Sequence, residues 1–171
     1  MAPTQTPSQE TRGGSPESIQ ELSWQELGAW RGLLRVHSAL VKALDAELLA
    51  EHDLPLTSYE VLINLQAAPD QRRRMAELAD GVLLSRSGMT RLVDRLERDG
   101  LLERDACASD GRGTFAVLTP KGEELLSRAR RSHLDGVRER FLQHFSEDEL
   151  EQLARLWNRV LPGAADLSPA D

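Results

Sequence analysis

The sequence predicts a mainly α-helical protein with one small β-hairpin. Apolar residues recur at helical spacing across both terminal regions, whereas two short strand patterns, joined by a glycine-containing loop, lie in the middle region. The chain has 171 residues, of which 40% are hydrophobic and 4% aromatic, and this suits one domain better than two independent cores. We predict five segments. They are a disordered arm over 1–18, a long helix within 19–56, a middle lobe over 57–119, terminal helices over 120–161 and a flexible tail over 162–171.

Composition limits the class of protein. No apolar run approaches the roughly 18 residues that a membrane-spanning helix needs, and the arm over 1–18 resembles neither a secretory signal nor a transit peptide. The single cysteine, Cys107, excludes an internal disulfide framework and a zinc site built on cysteine pairs. We therefore expect a protein of a reducing compartment, the cytoplasm, without a membrane partner.

Charge is unevenly distributed along the chain. The 21 Lys and Arg against 28 Asp and Glu give a formal net charge of −7, which by itself does not suggest a polyanionic partner. Residues 70–131, however, contain 13 basic and 11 acidic residues, so the acidity lies elsewhere. A local balance of +2 is weak, and useful affinity for nucleic acid would require two copies acting together.

The first long helix has the spacing of a helix that packs along a partner. Its apolar and ring residues alternate in steps of three and four, the a/d pattern of a helical seam. They are Leu27, Trp30, Leu34, His37, Val41, Leu44 and Leu48. A helix of this length, about 50 Å, cannot bury its seam alone. We predict that it forms a dimer together with the terminal helices, which begin at Thr119-Pro120 and at the capping box Ser146–Glu149 and reach Phe145 and Pro162.

The middle lobe has the order helix, helix, helix, hairpin. A capping box at Thr57–Glu60 begins the first helix, and the second follows Arg72-Arg73-Arg74 on Met75, Leu78 and Val82. Ser85 caps the third, which ends at Gly100. Strands at Leu101–Asp105 and Thr114–Leu118 are joined by the loop Ala106–Gly113. This order predicts a winged helix-turn-helix in an intertwined α-helical dimer.

The third helix of the lobe is the candidate DNA-reading element. If its apolar residues are buried, the opposite face presents hydroxyl groups and arginines, which suit the major groove. The apolar residues are Met89, Leu92, Val93 and Leu96, and the predicted DNA contacts are Ser85, Arg86, Ser87, Thr90, Arg91 and Arg95. The alternative is a solvated helix face with intrahelical pairs, Arg91 with Asp94 and Arg95 with Asp99.

The hairpin favours the DNA interpretation. Its loop places Arg112 beyond the strands, where a wing inserts a cation into the minor groove, and Asp110 would orient that side chain. The alternative is an Asp-Gly turn with an exposed arginine. Two such lobes would address half-sites about 34 Å apart on an inverted repeat of double-stranded DNA.

These residues resemble the MarR (multiple antibiotic resistance regulator) family of transcription factors. Residues Leu84 to Glu97 look like the family's recognition helix, and Asp110, Arg112, Leu118, Thr119 and Gly122 fit its wing signature D-x-R-x(5)-L-T-x-x-G. The resemblance implies a homodimer with interwoven terminal helices, a wing contact made by Asp110 and Arg112, and control of nearby genes that a small molecule or an oxidant relieves.

The resemblance also implies an effector site between the dimerisation helices and the DNA-reading lobe. There the sequence offers Trp30, Arg31, His37 and Tyr59, an aromatic and cationic lining for an anionic phenolic ligand. The alternative for Trp30 and His37 is the core or the dimer interface, and Tyr59 could simply be packing.

Redox and metal sensing are disfavoured. Peroxide-responsive members of the family have a cysteine on the first long helix, whereas Cys107 lies in the wing loop near Asp105. The four histidines are scattered, and we expect His133 and His144, on one helix, to form a surface pair and not a metal site. We predict neither cofactor nor metal.

The sequence bears on three classes of function. The first is a dimeric, sequence-specific regulator, a repressor that a small ligand releases from a pseudo-palindromic operator. The second is a winged-helix module that binds protein, but its exposed helix should then carry aromatic residues, and it carries Arg, Ser and Thr. The third, an enzyme, has no catalytic motif to support it. We therefore predict a DNA-binding regulator and no catalytic residues.

Overall fold

The protein is mainly helical with one small sheet, as the sequence predicts. A computed structural model describes residues 21–81, 86–106 and 114–166. The described residues form helices α1 Trp24–His52, α2 Leu56–Gln66, α3 Met75–Gly81, α4 Arg86–Arg98, α5 Pro120–Arg140 and α6 Glu147–Val160, and strands β1 Arg72–Arg74, β2 Leu102–Ala106 and β3 Thr114–Leu118. By its internal contacts the chain divides into two units, Met1–Arg35 and Val36–Asp171.

A capping box that the sequence analysis missed begins α1. The Glu26 amide donates to Ser23 Oγ at 3.2 Å, and Glu26 Oε2 accepts from the Ser23 amide at 2.8 Å. This reciprocal arrangement satisfies two backbone groups at the start of the helix. The helix therefore begins at Trp24 and ends at His52, within the segment predicted to hold it.

The apolar seam of α1 is buried within the chain only at its C-terminal end. Leu48 is 1% exposed, whereas Trp30, Leu34 and Val41 are 55%, 49% and 41% exposed. Helix α6 has no buried residue among its 14, although Leu156 and Val160 are apolar. Both helices therefore carry apolar surface that the described residues do not cover.

One hydrophobic core is formed by the end of α1, helices α2, α3 and α4, the sheet and α5. Its largest buried side chains come from each of these elements, so the lobe and the first half of α5 share a single core. They include Leu48, Leu62, Leu65, Leu78, Met89, Leu96, Leu102 and Leu126. Because the wing and α4 pack on the same core, their relative orientation is fixed by packing.

The sheet has three strands where the sequence predicted two. The antiparallel order is β1-β3-β2, with Arg73 opposite Ala116 and Arg104 opposite the same residue on the other side. Strand β3 has the predicted bounds, and β2 lies one residue later than predicted. The arginine run at 72–74, which had no strand assigned to it, is the edge strand β1.

The predicted capping box at Thr57 is wrong. Helix α2 begins at Leu56 after Pro55, and no side chain of its own first turn caps it. Instead the Leu56 amide donates to Asp45 Oδ1 of α1 at 2.8 Å. A carboxylate from the neighbouring helix thus satisfies the first free amide of α2.

The terminal helices begin as predicted, but α5 ends early. Thr119 Oγ1 accepts from the Gly122 amide at 3.1 Å, and Ser146 forms the predicted capping box with Glu149. Phe141 leaves the helical conformation at φ −131°, and a 3₁₀ turn follows at Leu142–His144. His133 and His144 therefore lie on different elements, and the expectation that one helix carries both is wrong.

Candidate nucleic-acid interface

Helix α4 has one buried apolar face and one exposed polar face. Met89, Val93 and Leu96 are at most 1% exposed and Leu92 is 7% exposed. The exposed residues of the helix, as far as its side chains are described, are Thr90, Arg91, Asp94 and Arg98. This is the amphipathic arrangement that a recognition helix needs.

Several predicted DNA contacts lie outside the described residues. The structure describes neither Ser85 nor the wing loop 107–113, which includes Cys107, Asp110 and Arg112. Arg86 and Ser87 belong to the first turn of α4 by their backbone, and their side chains are not among those described. The roles assigned to these residues stay predictions.

Arg91 is the exposed cation on the middle of this face. It makes no ion pair with the residues that the structure describes, because Asp94, its predicted intrahelical partner, is paired elsewhere. The alternative in which Arg91 forms an intrahelical ion pair with Asp94 is therefore wrong. Its guanidinium is available to an anion such as a DNA phosphate or to a guanine edge.

Arg95 differs from its prediction. The side chain is only partly exposed, and its Nη2 donates to Ser58 Oγ of α2 at 2.6 Å. Ser58 is 1% exposed, so this contact ties the third turn of α4 to the start of α2. The expectation that Arg95 faces solvent was wrong because α2 covers that side of α4; its contact with DNA stays a prediction.

Arg104 joins the recognition helix to the wing. From β2 its Nη2 donates to Asp94 Oδ1 at 2.6 Å, its Nη1 pairs with Glu97, and its amide donates to Glu97 Oε1 at 3.3 Å. Burial by itself lowers the pKa of the Arg104 guanidinium, but the hydrogen bonds and charges of the two carboxylates together outweigh it and raise the pKa. The bridge also compensates two negative charges beside the surface where DNA phosphates would lie.

Strand β1 supports the other side of the wing. Arg72 Nη2 lies 3.2 Å from Asp105 Oδ2 of β2, and its guanidinium carbon lies 4.2 Å from the centre of the Phe115 ring of β3. The Arg74 guanidinium lies 5.3 Å from the same ring centre. Cation–π contacts and an ion pair therefore connect all three strands.

Two fixed positions of the wing signature L-T-x-x-G, Thr119 and Gly122, have a structural reason beside the end of α4. Gly100, at φ +73°, ends α4, and the Leu101 amide donates to the Leu96 carbonyl in a Schellman arrangement. Thr119 Oγ1 donates to the Gly100 carbonyl at 2.7 Å while capping α5. A Cβ on Gly122 would lie 2.0 Å from the Leu101 carbonyl oxygen, so only glycine fits.

The predicted effector residues do not share one described cavity. His37 lines a cavity of about 550 Å³ between α1 and α2, together with residues such as Lys42, Asp45 and Glu60. Tyr59 is not among its lining residues and is 5% exposed, with its ring centre 4.6 Å from that of His133. Trp30 and Arg31 are exposed residues of the first unit. The effector role of the four stays a prediction.

Burial controls the ionisation of the Tyr59 and His133 pair. Desolvation raises the pKa of Tyr59, and the positive charge of Arg130 partly opposes it. Desolvation lowers the pKa of His133, and the carboxylate of Glu47 partly opposes it. Both rings are therefore favoured in their neutral forms.

Comparison with known proteins identifies the family. The MarR family profile matches residues 52–113. The structure of Sco3205, a MarR family transcriptional regulator from Streptomyces coelicolor in complex with DNA, is 32% identical, with a TM-score of 0.79 over 89% of this chain and 98% of that one. This chain belongs to the MarR family.

Two further structures agree with this assignment. AbsC, another MarR family regulator from Streptomyces coelicolor, is 32% identical over 83% of this chain and 95% of its own, with a TM-score of 0.79. A mutant of MarR from E. coli, complexed with operator DNA, is 24% identical over 84% of this chain and 100% of its own. Its TM-score of 0.72 supports the winged-helix fold alone.

The protein is therefore a DNA-binding transcriptional regulator of the MarR family, as the sequence predicted. Among the described helices none is long and apolar enough to cross a membrane. Within 21–81, 86–106 and 114–166 no group of three or more His, Cys, Asp and Glu side chains is arranged to hold a metal ion.

Sequence reasoning missed the residues that support the interface. Arg104 contacts α4 only because β2 folds back beside it, and Arg72 contacts Asp105 only because β1 joins the sheet. The one local signal was the Pro69-Asp70 turn, which precedes β1 and holds Asp70 at φ 54°.

Proposed function

We propose that this MarR family protein is a homodimeric repressor that binds an inverted-repeat operator and that a small anionic aromatic ligand releases. The amphipathic helix α4 carries the proposal of sequence-specific binding. Its apolar face is buried in the core, and Thr90 and Arg91 lie on its exposed face. Ser85, Arg86, Ser87, Asp110 and Arg112 complete the proposed contact, with Arg95 at its edge.

Uncovered apolar surface on the terminal helices supports the dimer. Trp30, Leu34 and Val41 on α1 and Leu156 and Val160 on α6 are each at least 40% exposed. A helix that exposes apolar residues at seam spacing packs that seam against another helix. A second copy supplies the complementary surface because two-fold interfaces pair the same residues from both chains.

A ligand can control DNA binding by changing the separation of the two recognition helices. Two recognition helices must fit half-sites about 34 Å apart, and the terminal helices set that separation in the dimer. A ligand that favours a misfitting separation by about 1.4 kcal/mol lowers operator occupancy tenfold. The proposed effector residues are Trp30, Arg31, His37 and Tyr59, of which His37 lines the cavity between α1 and α2.

Selection from a random DNA library followed by titration tests the proposal. Wild-type protein should enrich an inverted repeat, and Arg91→Ala should weaken its binding by about 1–3 kcal/mol. The matched control is Arg155→Ala, because Arg155 is an exposed arginine paired with Glu151 on α6. Failure to enrich any sequence, or equal affinities of wild type and Arg91→Ala, would refute sequence-specific binding through α4.

A further inference from the structure

Ser58, in the first turn of α2, has a buried hydroxyl group that contacts the recognition helix α4. At 1% exposure it is, apart from Tyr59, the only buried polar side chain among the described residues. A buried hydroxyl group without a hydrogen-bond partner costs free energy. The Ser58 oxygen accepts from Arg95 Nη2 of α4 at 2.6 Å. This contact therefore satisfies Ser58 and also holds the end of an arginine side chain at a defined point beside α4.

The position of the Ser58 hydroxyl group is fixed by its surroundings. The Ser58 amide donates to the Pro55 carbonyl at 2.9 Å, and the Leu56 amide donates to Asp45 Oδ1 of α1 at 2.8 Å. Val61, in the next turn of α2, is 0% exposed. Because closely packed residues move little, an arginine bonded to this hydroxyl group loses much of its rotamer freedom.

Arg95 keeps its positive charge in this contact. Asp53 and Asp99 line the same cavity of about 230 Å³ as Ser58 and Arg95, but Arg95 forms no ion pair with either carboxylate. The neutral Ser58 oxygen therefore holds the guanidinium group without compensating its charge. A guanidinium group has several N–H donors, and with the described residues Arg95 uses one of them in this bond. The others remain for a second acceptor.

Arg104 of β2, which also contacts α4, shows the opposite arrangement. Its guanidinium group pairs with the carboxylates of Asp94 and Glu97, so its charge is compensated within the chain. Arg95 is bonded instead to a neutral hydroxyl group. Because an uncompensated charge attracts an anion more strongly, Arg95 is the better of these two arginines for binding a phosphate.

Arg95 also lies close to the proposed base-reading residues. It follows Arg91 by four residues, and residues at this spacing are neighbours on a helix surface. Arg91 is exposed and Arg95 is partly exposed. Arginines beside base-reading residues commonly contact DNA phosphates and fix the register of the protein on the duplex. Arg95 therefore suits a backbone phosphate at the edge of the proposed interface.

We propose that Ser58 is a positioning residue for operator binding, which holds the Arg95 guanidinium group ready for a DNA phosphate. Holding the side chain in one place before DNA binds lowers the entropy that binding costs. Ser58 itself is buried and acts only through Arg95. This role depends on the proposed function and adds to the proposed contacts a residue that lies outside them.

Operator titration with four full-length proteins tests the role of Ser58. They are wild type, Ser58→Ala, Arg95→Ala and the double variant, titrated by fluorescence anisotropy over a range of salt concentrations. Arg95→Ala should weaken binding about tenfold and lower the log–log salt slope by about 0.9 for each bound chain. Ser58→Ala should weaken binding about fivefold without changing the slope, because the charge of Arg95 remains. In the Arg95→Ala background, Ser58→Ala should have no further effect.

Ser132→Ala is the matched control for Ser58→Ala. The Ser132 oxygen, on α5, lies 2.8 Å from His52 Nε2 of α1, so this variant also removes a hydroxyl group that joins two helices. Its operator affinity should equal that of wild type. Each variant is titrated below its melting temperature, so that unfolding does not lower the measured affinity.

Three outcomes would overturn the role of Ser58. The first is wild-type operator affinity in Ser58→Ala. The second is an equal loss of affinity from Ser58→Ala with and without Arg95, which would mean that the hydroxyl group supports packing alone. The third is the wild-type salt slope in Arg95→Ala, which would mean that Arg95 contacts no phosphate.

Arg91→Ala separates these outcomes from a failure of the proposed function. If Arg91→Ala weakens operator binding but Ser58→Ala and Arg95→Ala do not, only the role of Ser58 is refuted. If none of the three variants changes operator affinity, sequence-specific binding through α4 is refuted as well.

Discussion

Gly122 lies where the first turn of α5 passes the carbonyl oxygen of Leu101. A Cβ at this position would lie 2.0 Å from that backbone oxygen and 2.8 Å from Leu118 Cδ1. The Leu101 oxygen belongs to the backbone and the Leu118 side chain is buried, so neither can move aside without disturbing the packing around it. We expect Gly122→Ala to destabilise the protein by about 3 kcal/mol, the upper part of the range for overpacking. Equal midpoints of urea unfolding for this variant and wild type would contradict the close approach.

Because the His133 ring is partly buried, the stability of the protein should depend on pH. Burial holds its pKa in the folded protein below the unfolded value of about 6.5, although Glu47 opposes the shift. The unfolded chain therefore binds the proton first, so this contribution is complete above about pH 6.5 and is lost as the pH falls toward the folded pKa. The melting temperature should fall less on acidification in His133→Gln than in wild type.

The control for this experiment is His144→Gln, which removes a histidine from an exposed position in the 3₁₀ turn after α5. Its melting temperature should fall with pH as steeply as that of wild type. Parallel pH profiles for wild type and His133→Gln would mean that burial of the His133 ring does not affect stability.

At the scale of elements, the contact between α4 and β2 depends on Arg104. Its side chain and those of Asp94 and Glu97 are partly exposed, so the ion pairs contribute at most about 1 kcal/mol to folding. The ion pairs should have a larger effect on DNA binding, because Arg104 compensates the negative charges of two carboxylates beside the surface proposed to face the DNA phosphates. We expect Arg104→Met to weaken operator binding about tenfold with little change in melting temperature.

A second substitution separates charge compensation from simple packing. In the Arg104→Met background, Asp94→Asn removes one uncompensated charge and should restore part of the operator affinity. Both affinities are measured by fluorescence anisotropy at fixed salt. Wild-type affinity in Arg104→Met, or no recovery in the double variant, would contradict the compensating role of Arg104.

Sequence patterns predicted those structural features that depend only on residues close in sequence. The apolar spacing of α4 identified its buried face, and Thr119 and Ser146 identified helix starts, because each of these features depends on residues close in sequence. Strand β1 escaped prediction because an arginine run has no strand alternation, and only pairing with the distant β3 makes it a strand.

In the candidate site, too, only the features that depend on residues close in sequence were predictable. Arg91 and Thr90 were placed on the exposed face by helical period alone. Arg95 was misplaced because whether its side of α4 is exposed depends on where α2 packs. The cap that Asp45 provides to α2 also comes from a neighbouring element, and sequence spacing does not report such contacts.

At the scale of the whole molecule, the apolar seam of α1 predicts the dimer. Leu34 belongs to the seam and is 49% exposed, whereas Val36 is 50% exposed on the same helix but lies outside the seam. A charge at either position adds little strain to a single chain. Leu34→Glu should therefore reduce the mass measured by sedimentation from twice 19.0 kDa toward 19.0 kDa, and Val36→Glu should not. A dimer that survives Leu34→Glu would place the interface elsewhere.

The distribution of charge along the chain agrees with a dimer that binds DNA through two lobes. The chain carries −7 in total, but residues 70–131, which include α4 and the wing strands, carry 13 basic and 11 acidic residues, so the acidity lies outside this segment. One lobe with this weak balance gives little affinity, whereas two lobes joined in a dimer multiply their effects. The salt dependence of operator binding should follow, with a log–log slope near 0.9 for each phosphate neutralised.

In the proposed complex, two copies of the chain bind two half-sites through α4 at a fixed separation. This separation can be tested by inserting about five base pairs, half a helical turn, between the half-sites of the selected inverted repeat. Titration should give two chains bound to the original repeat, and the insertion should weaken binding at least about a hundredfold. Unchanged affinity after the insertion would contradict paired recognition.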